Sequence, residues 1–133
     1  MEEPNKLLIV DDNKDILSTF YEFFNLMNYE VKTAADGFAA LKLLKADPSS
    51  FDCLITDLVM PNISGVGLIS IVKKEYSHIK IIAITGYGDQ PGALASEAEA
   101  DFVLFKPIDL FKIENIVAKL LNKDKDSNKK NDG

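Results

Sequence analysis

The sequence has little of what cross-links or anchors a protein. Among its 133 residues there is one cysteine, Cys53, so no internal disulfide can form, which fits a reducing compartment. Cys53 lies in the apolar run CLIT, where we expect a buried and unreactive thiol. No apolar run approaches the roughly 20 residues of a membrane-spanning helix, and the N-terminal MEEPNK does not resemble a signal peptide. These absences predict a cytoplasmic protein.

Basic residues are in the minority, since 15 Lys and Arg stand against 21 Asp and Glu, for a net charge of −6. Nucleic-acid-binding domains usually carry a basic footprint, so we expect no direct binding to nucleic acid. The phosphate-binding motif GxxxxGK[ST] is absent. The stretch GYGDQPG has glycine spacing one residue too long for a dinucleotide motif and follows the fourth strand instead of the first. With 47% hydrophobic and 27% charged residues, the composition is that of one globular domain.

Hydrophobic patterns alternate between strands and helices. Five segments have the pattern of strands: residues 6–10, 29–33, 53–56, 80–84 and 102–105. A helical pattern follows each strand, although the fourth, LASEAEA, is short and weak. This alternation predicts an α/β, doubly wound, flavodoxin-like fold with a five-stranded parallel sheet in the order 2-1-3-4-5. We expect the second helix to be built on Phe38, Leu41 and Leu44.

The domain is predicted to span residues 6–121, after an N-terminal extension of residues 1–5. From Asn122 onward the chain contains no apolar residue. Segments of this composition cannot bury enough apolar surface to offset the entropy of ordering them. Residues 122–133 are therefore predicted to be a disordered polar tail or a linker.

Charged and hydroxyl side chains mark the carboxyl ends of four predicted strands. Asp11 and Asp12 follow strand 1, Asp57 follows strand 3, Thr85 ends strand 4 and Lys106 follows strand 5. In a doubly wound sheet, ligands bind outside the carboxyl ends of the strands where the strand order reverses. The order 2-1-3-4-5 makes strands 1 and 3 neighbours, so the three carboxylates are expected to converge there.

Clustered carboxylates need a compensating charge. Two unit charges about 4 Å apart repel by roughly 4 kcal/mol at an effective dielectric constant near 20. A hard cation such as Mg²⁺, which takes carboxylates, waters and phosphate oxygens as ligands, offsets this repulsion. An anionic phosphoryl group then fits between the metal, Lys106 and the Thr85 hydroxyl, and a carboxylate there can act as the nucleophile that forms an aspartyl phosphate.

The Asp11–Asp12 pair alone also fits a helix N-cap, and the two interpretations are equally good for the pair by itself. The presence of Asp57, Thr85 and Lys106 in register favours the ligand site. His78 lies among polar residues before the fourth strand, and we expect it at the surface instead of in the site.

Taken in order, LLIVDDN, LITDLVMPNISG, IIAITG and FVLFKP resemble the receiver domain of two-component response regulators, over about residues 6–121. The resemblance implies that Asp57 is the phosphoacceptor, that Thr85 hydrogen-bonds the phosphoryl oxygens and that Lys106 pairs with the phosphoryl group. It also implies a cis peptide bond between Lys106 and Pro107.

The same resemblance implies the ligands of Mg²⁺. Asp12 and Asp57 bind the metal directly, the backbone carbonyl of Val59 supplies another ligand, and Asp11 acts mainly through water. This chain departs from a haloacid-dehalogenase type phosphatase, a family that typically places a second Asp two residues after its nucleophile, where this chain has Val59.

The implied function is a phosphorylation-activated signalling switch. A sensor histidine kinase or a histidine phosphotransfer protein delivers the phosphoryl group. The surface formed by helix 4, strand 5 and helix 5 then changes and contacts an effector or a second copy. The domain promotes only its own phosphorylation and dephosphorylation and is not an enzyme with an external substrate.

Two alternatives belong to other classes. A phosphorylation-independent receiver-like binding module usually lacks one of the site residues, whereas all five are present. A flavodoxin-like cofactor binder needs a hydroxyl- and glycine-rich loop after strand 1, where this chain has DDNKD.

One position departs from the commonest receiver pattern, and two others bear on the lifetime of the phosphorylated state. Many receivers carry Tyr or Phe three residues before the strand-5 lysine, and this chain has Val103, so we expect coupling through Thr85 without a rotating aromatic ring. Val59 and Tyr87, two residues after Asp57 and Thr85, cannot position an attacking water. We therefore expect a long-lived aspartyl phosphate.

Overall fold

The fold is given by a computed structural model that describes residues 3–60, 63–86 and 99–132, with side chains as far as Leu121. The strands are β1 (Lys6–Val10), β2 (Glu30–Ala34), β3 (Cys53–Asp57), β4 (Lys80–Thr85) and β5 (Phe102–Phe105). The described helices are α1 (Lys14–Leu26), α2 (Gly37–Ala46), α3 (Gly65–Glu75) and α4 (Leu110–Asp132).

All strands are parallel and follow the order β2-β1-β3-β4-β5. The predicted fold class and strand order are therefore confirmed. The predicted fourth helix, LASEAEA (residues 94–100), lies outside the described part of the chain except for Glu99 and Ala100, which are not helical. Helix α4 therefore corresponds to the fifth predicted helix.

Side-chain caps begin all four described helices, with Asp109 as the cap of α4. Asn13 accepts hydrogen bonds from the N–H groups of Asp15 and Ile16 at the start of α1. Asp36 and Ser64 do the same for α2 and α3, accepting from the third residue of each helix. Such caps satisfy N–H groups that have no partner within the helix. They let each helix start immediately after the loop that leaves the carboxyl edge of the sheet.

The sheet is buried on both faces. Alternate residues of each strand point to opposite faces, and the central strands β1, β3 and β4 are mainly apolar and buried, as doubly covered strands should be. One face packs against α2 and α3, and its buried residues include Leu8, Val10, Leu54, Ile81, Leu44, Leu68, Ile69 and Val72. The other packs against α1 and α4, and its buried residues include Leu7, Ile9, Ile55, Ile82, Phe20, Phe24, Ile113 and Val117.

The prediction that Phe38 belongs to the core is wrong, because its side chain is 54% exposed. Helix α2 instead buries Gly37, Ala40 and Leu44. At Gly37 a Cβ atom would lie 2.7 Å from the Cβ of Ile63, so the small residues allow a close approach. The helical period was read correctly, but it did not reveal that a glycine lies on the packed face.

Two aspartates clasp the amino ends of neighbouring strands. The N–H of Asp52 donates to the Lys6 carbonyl, and its carboxylate accepts from the Lys6 N–H at 2.8 Å. Asp101 makes the same pair of bonds to Ile81, with 2.7 Å to its carboxylate. We call these the aspartate clasps. They fix the register of β3 against β1 and of β5 against β4.

Helix α4 continues to Asp132, through residues 122–132 of the predicted tail or linker. This stretch contains neither proline nor glycine before Gly133, the residues that interrupt a helix most strongly. Its role as a tail or linker stays a prediction.

Among the described helices, none combines the length and apolar composition needed to cross a membrane. Cys53 is buried, and burial raises the pKa of its thiol, as expected for an unreactive cysteine.

Candidate functional site

Three carboxylates meet at the carboxyl edge of the sheet. Strands β1 and β3 are neighbours, and Val10 pairs with Thr56, so the residues that follow lie side by side. Asp11, Asp12 and Asp57 each place a carboxylate oxygen within 4.8 Å of the other two. Asp11 and Asp57 are buried and Asp12 is exposed. The strand order thus brings together the three aspartates that the sequence singled out.

The Asp57 carboxylate is held by two donors. The Lys106 ammonium donates to Oδ2 at 3.1 Å, and the N–H of Val59 donates to Oδ1 at 3.0 Å. The Asp57 side chain is only 7% exposed, whereas that of Lys106 is 27% exposed. Hydrogen bonds in which one partner is charged are shorter and stronger than neutral ones. Each oxygen of the Asp57 carboxylate therefore has a hydrogen-bond donor from the protein, and these two bonds orient the carboxylate.

Thr85 lies on the adjacent strand at the same level. In β4 its neighbour Ile84 pairs with Asp57, and Thr85 itself pairs with Phe105 in β5. The Thr85 carbonyl accepts a hydrogen bond from the Lys106 N–H at 2.8 Å. Thr85 is buried, and the peptide bond that follows Lys106 is cis, as the sequence resemblance implies.

The carboxylate cluster is electrostatically unfavourable by itself. Burial raises the pKa of Asp11, and the negative charges of Asp57 and Asp12 raise it further. A hydrogen bond from the Asn13 N–H, 2.8 Å long, and the charge of Lys106 act in the opposite direction. The net effect is a raised pKa, because the charged form of Asp11 is disfavoured. A further positive charge among these oxygens would relieve this.

The donor set fits a hard divalent cation. All three side chains offer oxygen, the ligand type that Mg²⁺ and Ca²⁺ prefer, and there is no sulfur or imidazole in the cluster. Mg²⁺ commonly takes one or two carboxylates and completes its shell with water and phosphate oxygens. The residues present are therefore those that the predicted Mg²⁺ site requires.

Sequence reasoning missed one residue of this region. In the described part of the chain, the buried polar or charged side chains are Asp11, Thr56, Asp57 and Thr85. Three were predicted as site residues, but Thr56 was counted as part of an apolar strand. Its hydroxyl donates to the Asp57 carbonyl oxygen at 3.0 Å. The available signal was a single hydroxyl in an apolar strand, directly before Asp57.

Other predicted positions lie as follows. The Val59 side chain is 62% exposed at the rim of the site, and Tyr87 falls outside the described residues. His78 is exposed, as expected. Val103 is half-buried and packs against the core face that α2 and α3 cover. Phe105 is exposed.

A family model described as the response regulator receiver domain matches residues 7–118. Among curated proteins, the chain is 32% identical to the response regulator protein PilR of Pseudomonas aeruginosa over 117 residues, which is 87% of this chain and 26% of PilR. It is 35% identical to the sensor histidine kinase TmoS of Ectopseudomonas mendocina over 121 residues, which is 88% of this chain and 12% of TmoS. The chain thus spans a minor part of both relatives.

Solved structures are similar over nearly the whole chain. A response regulator receiver domain protein from Clostridium thermocellum has a TM-score of 0.82 and 30% identity, covering 91% of this chain and 97% of that one. The response regulator TrrA from Thermotoga maritima, solved in complex with Mg²⁺ and BeF, has a TM-score of 0.77 and 32% identity. That alignment covers 88% of this chain and 99% of TrrA.

Proposed function

Because this chain belongs to the response regulator receiver domain family, we propose that Asp57 is the residue that accepts its phosphoryl group and that the phosphorylated domain is the active state of a signalling switch. One observation carries the residue assignment. The Asp57 carboxylate lies within 4.8 Å of two others and is bonded by the Lys106 ammonium at 3.1 Å. Its surroundings thus combine a metal-type donor set with a fixed cation.

In the proposed reaction, a carboxylate oxygen of Asp57 attacks the phosphorus of a phosphohistidine on the partner. The O–P bond forms as the P–N bond breaks, and the electron pair leaves with the imidazole nitrogen. Lys106 balances the charge on the transferring oxygens, since catalysis of phosphoryl transfer rests mainly on positioning and charge stabilisation. The Thr85 hydroxyl donates a hydrogen bond to one of those oxygens.

The proposed metal ligands are Asp12, Asp57 and the Val59 carbonyl, with Asp11 acting through water. When bound there, Mg²⁺ supplies positive charge that offsets the carboxylates and the phosphoryl oxygens. The buried position of Asp11 and its bond from the Asn13 N–H support an outer role, because one of its oxygens already has a protein donor.

The signal is proposed to leave through β5 and its neighbours. Phosphorylation adds about −1.5 to −2 charges at pH 7 beside Lys106, which β5 positions. Moving a switch from 1:99 to 99:1 takes about 5.5 kcal/mol, and charge-assisted hydrogen bonds of roughly 1.5–3 kcal/mol each approach that. Phe102 and Phe105 are exposed on this edge strand and line a groove of about 410 Å³ with Ile108, Lys112 and others.

We propose that this surface, together with the predicted helix of residues 94–100, contacts an effector or a second copy. The donor is a sensor histidine kinase or a histidine phosphotransfer protein, in the cytoplasm. The domain acts on its own aspartate and on no external substrate. Similarity to parts of both PilR and TmoS is compatible with attachment to a regulator or to a kinase.

Two further proposals, one on the conformational change and one on the lifetime of the phosphorylated state, follow from particular side chains. Val103 is aliphatic and packed against the core, so the transition is proposed to run through Thr85 without rotation of a ring. The Val59 side chain is exposed at the rim and carries no group that could hold an attacking water. We therefore propose a long-lived aspartyl phosphate, and loss of the phosphoryl group within seconds would contradict this.

The test is intact-mass spectrometry after incubation with acetyl phosphate and Mg²⁺. We expect one phosphoryl adduct on the wild-type domain, none on Asp57→Ala and none in EDTA. Asp47→Asn, an exposed aspartate in the α2–β3 loop, is the matched control and should retain the adduct. If the wild type gives no adduct, Mg²⁺-dependent binding of beryllofluoride decides the matter. Its absence as well would favour the phosphorylation-independent binding module.

A further inference from the structure

The main chain at Asp57 lies where the β1–β3 ladder has already stopped. The last pair between these strands joins Val10 to Thr56. The N–H of Asp11 donates to the carbonyl of Ala34 in β2 at 3.2 Å, on the side of β1 that faces away from β3. The residue that carries the proposed nucleophile therefore lies beyond the regular pairing of β3 with β1, and another group must orient its carbonyl.

The Thr56 hydroxyl provides a hydrogen bond at this point. Thr56 is fully buried, and its side chain lies on the sheet face opposite to the Asp57 carboxylate. Its Oγ1 donates to the Asp57 carbonyl oxygen at 3.0 Å. Helix α3 begins against the same oxygen, since a Cβ on Gly65 would be 2.0 Å from it. A hydroxyl donor and a glycine thus both contact this carbonyl.

The held carbonyl is connected to the site by two residues. The N–H of Leu58 donates to the Ile84 carbonyl at 2.9 Å, and the N–H of Val59 donates to Asp57 Oδ1 at 3.0 Å. Because each peptide unit is planar, the direction of the Asp57 carbonyl fixes the plane from which Leu58 continues. The position of the Val59 N–H and carbonyl depends on that plane.

We infer that Thr56 is a positioning residue for phosphoryl transfer: its hydroxyl fixes the Asp57 carbonyl and thereby orients the Val59 main chain toward the carboxylate and the metal. The consequence for Mg²⁺ rests on the proposed function, whereas the effect on the Val59 main chain does not. The simpler alternative is that a buried hydroxyl merely satisfies its own need for an acceptor. In that case its removal changes stability but leaves the site unaltered.

Three variants separate these alternatives. Thr56→Val has nearly the same shape but no hydroxyl, Thr56→Ser keeps the hydroxyl and loses the methyl group, and Thr33→Val in β2 is a control for the exchange itself. The readouts are the Val59 amide resonance of the metal-free domain in NMR spectra and the Mg²⁺ affinity from titration. Unfolding midpoints are measured in parallel.

We expect Thr56→Val to move the Val59 amide proton upfield, as its bond to Asp57 weakens, and to lower Mg²⁺ affinity by about tenfold or more, as when outer partners of metal ligands are removed. Thr56→Ser and Thr33→Val should match the wild type in both readouts. An unmoved Val59 resonance with wild-type Mg²⁺ affinity in Thr56→Val would overturn the inference. So would an equal loss in Thr56→Ser.

If Thr56→Val does not fold, Thr56→Ser still tests the inference. It should bind Mg²⁺ as tightly as the wild type despite a lower unfolding midpoint, and weaker binding would refute the positioning role. Failure of the wild type to bind Mg²⁺ would instead reject the proposed function. The Val59 amide measurement would then still test whether the Thr56 hydroxyl orients the main chain at Val59.

Discussion

Gly65 lies directly against the main chain of Asp57. A Cβ atom at residue 65 would be 2.0 Å from the Asp57 carbonyl oxygen and 2.6 Å from the Leu58 Cα. Both are backbone atoms that cannot rotate away. The start of α3 and the residue with the proposed nucleophilic carboxylate are therefore in contact only because residue 65 has no side chain.

Gly65→Ala should accordingly displace Asp57 and destabilise the domain by about 1–3 kcal/mol, the usual range for overpacking. Gly67→Ala, two residues further along α3, is the matched control, because its Cβ would be 3.5 Å from its nearest neighbour. That variant should be neutral or more stable by up to about 1 kcal/mol, since alanine favours helix over glycine. Urea unfolding of both variants checks this, and equal stabilities would contradict it.

Asp11→Asn should stabilise the metal-free domain by about 0.5–2 kcal/mol at neutral pH, as replacement of a strained site residue often does. The folded-state pKa of Asp11 is raised above its unfolded value of 3.8. The charged form therefore costs stability above the folded pKa, and this cost disappears as the pH falls below the unfolded pKa. The difference between variant and wild type should close on acidification.

The measurement is urea unfolding in EDTA over a series of pH values, with Asp47→Asn as an exposed control. Saturating Mg²⁺ should reverse the order, because a ligand that binds only the folded state stabilises the protein that binds it more tightly. A gap that widens toward acid would show that the Asp11 charge is not the cause.

Tyr29→Phe should lower the free energy of unfolding by about 1 kcal/mol. The Tyr29 hydroxyl donates to Glu114 Oε2 at 3.0 Å and joins the residue before β2 to α4, and a net contribution of this size is typical. The contact between the Tyr29 and Phe24 rings, 5.6 Å apart, is kept in the variant. Tyr21→Phe, at an exposed position in α1, should have no such effect.

The same pair predicts a pH dependence. Burial and the Glu114 carboxylate raise the pKa of Tyr29 above its ordinary value of 10.0. The unfolded chain then releases this proton at a lower pH than the folded chain, so the wild type loses stability as the pH rises through 10. Tyr29→Phe lacks this loss, and the two unfolding curves should approach each other in alkaline buffer.

Asp101→Ala should destabilise the domain by about 1–3 kcal/mol, the cost of leaving a buried N–H without its acceptor. The N–H that would lose its acceptor is that of Ile81, whose nitrogen lies 2.7 Å from Asp101 Oδ2. Asp101→Asn keeps an acceptor oxygen and should lose less. Thermal unfolding ranks the two variants, and an equal loss would show that the charge, not the acceptor, is what matters.

The main features of the fold were predictable because four of the five strands, β2 excepted, are short apolar runs that end in or are followed by a polar residue. The pattern located β1 and β3, and the residues after them supplied Asp11, Asp12 and Asp57. Neighbouring strands in the predicted order then sufficed to bring these side chains together. The geometry of the cluster agrees with that reasoning, while the roles of its members stay proposals.

What escaped prediction depends on atoms that no periodicity describes. The burial of Gly37 in place of Phe38 follows from the position of Ile63, a residue in another loop. The Thr56 bond to Asp57 follows from where β1 stops relative to β3. The aspartate clasps involve Asp52 and Asp101, which the sequence analysis did not single out. Each depends on register between distant segments.

The aspartate clasps also show that unfavourable interactions in this domain are concentrated at one edge of the sheet. At the amino edge of the sheet, Asp52 and Asp101 each find N–H donors in a neighbouring strand. At the carboxyl edge, Asp11, Asp12 and Asp57 lie close together and their negative charges repel one another. Local conflict is thus confined to one end of a framework that is otherwise consistent. We therefore expect a ligand that removes that conflict to shift groups at the carboxyl edge, because the aspartate clasps hold the strands in register at the amino edge.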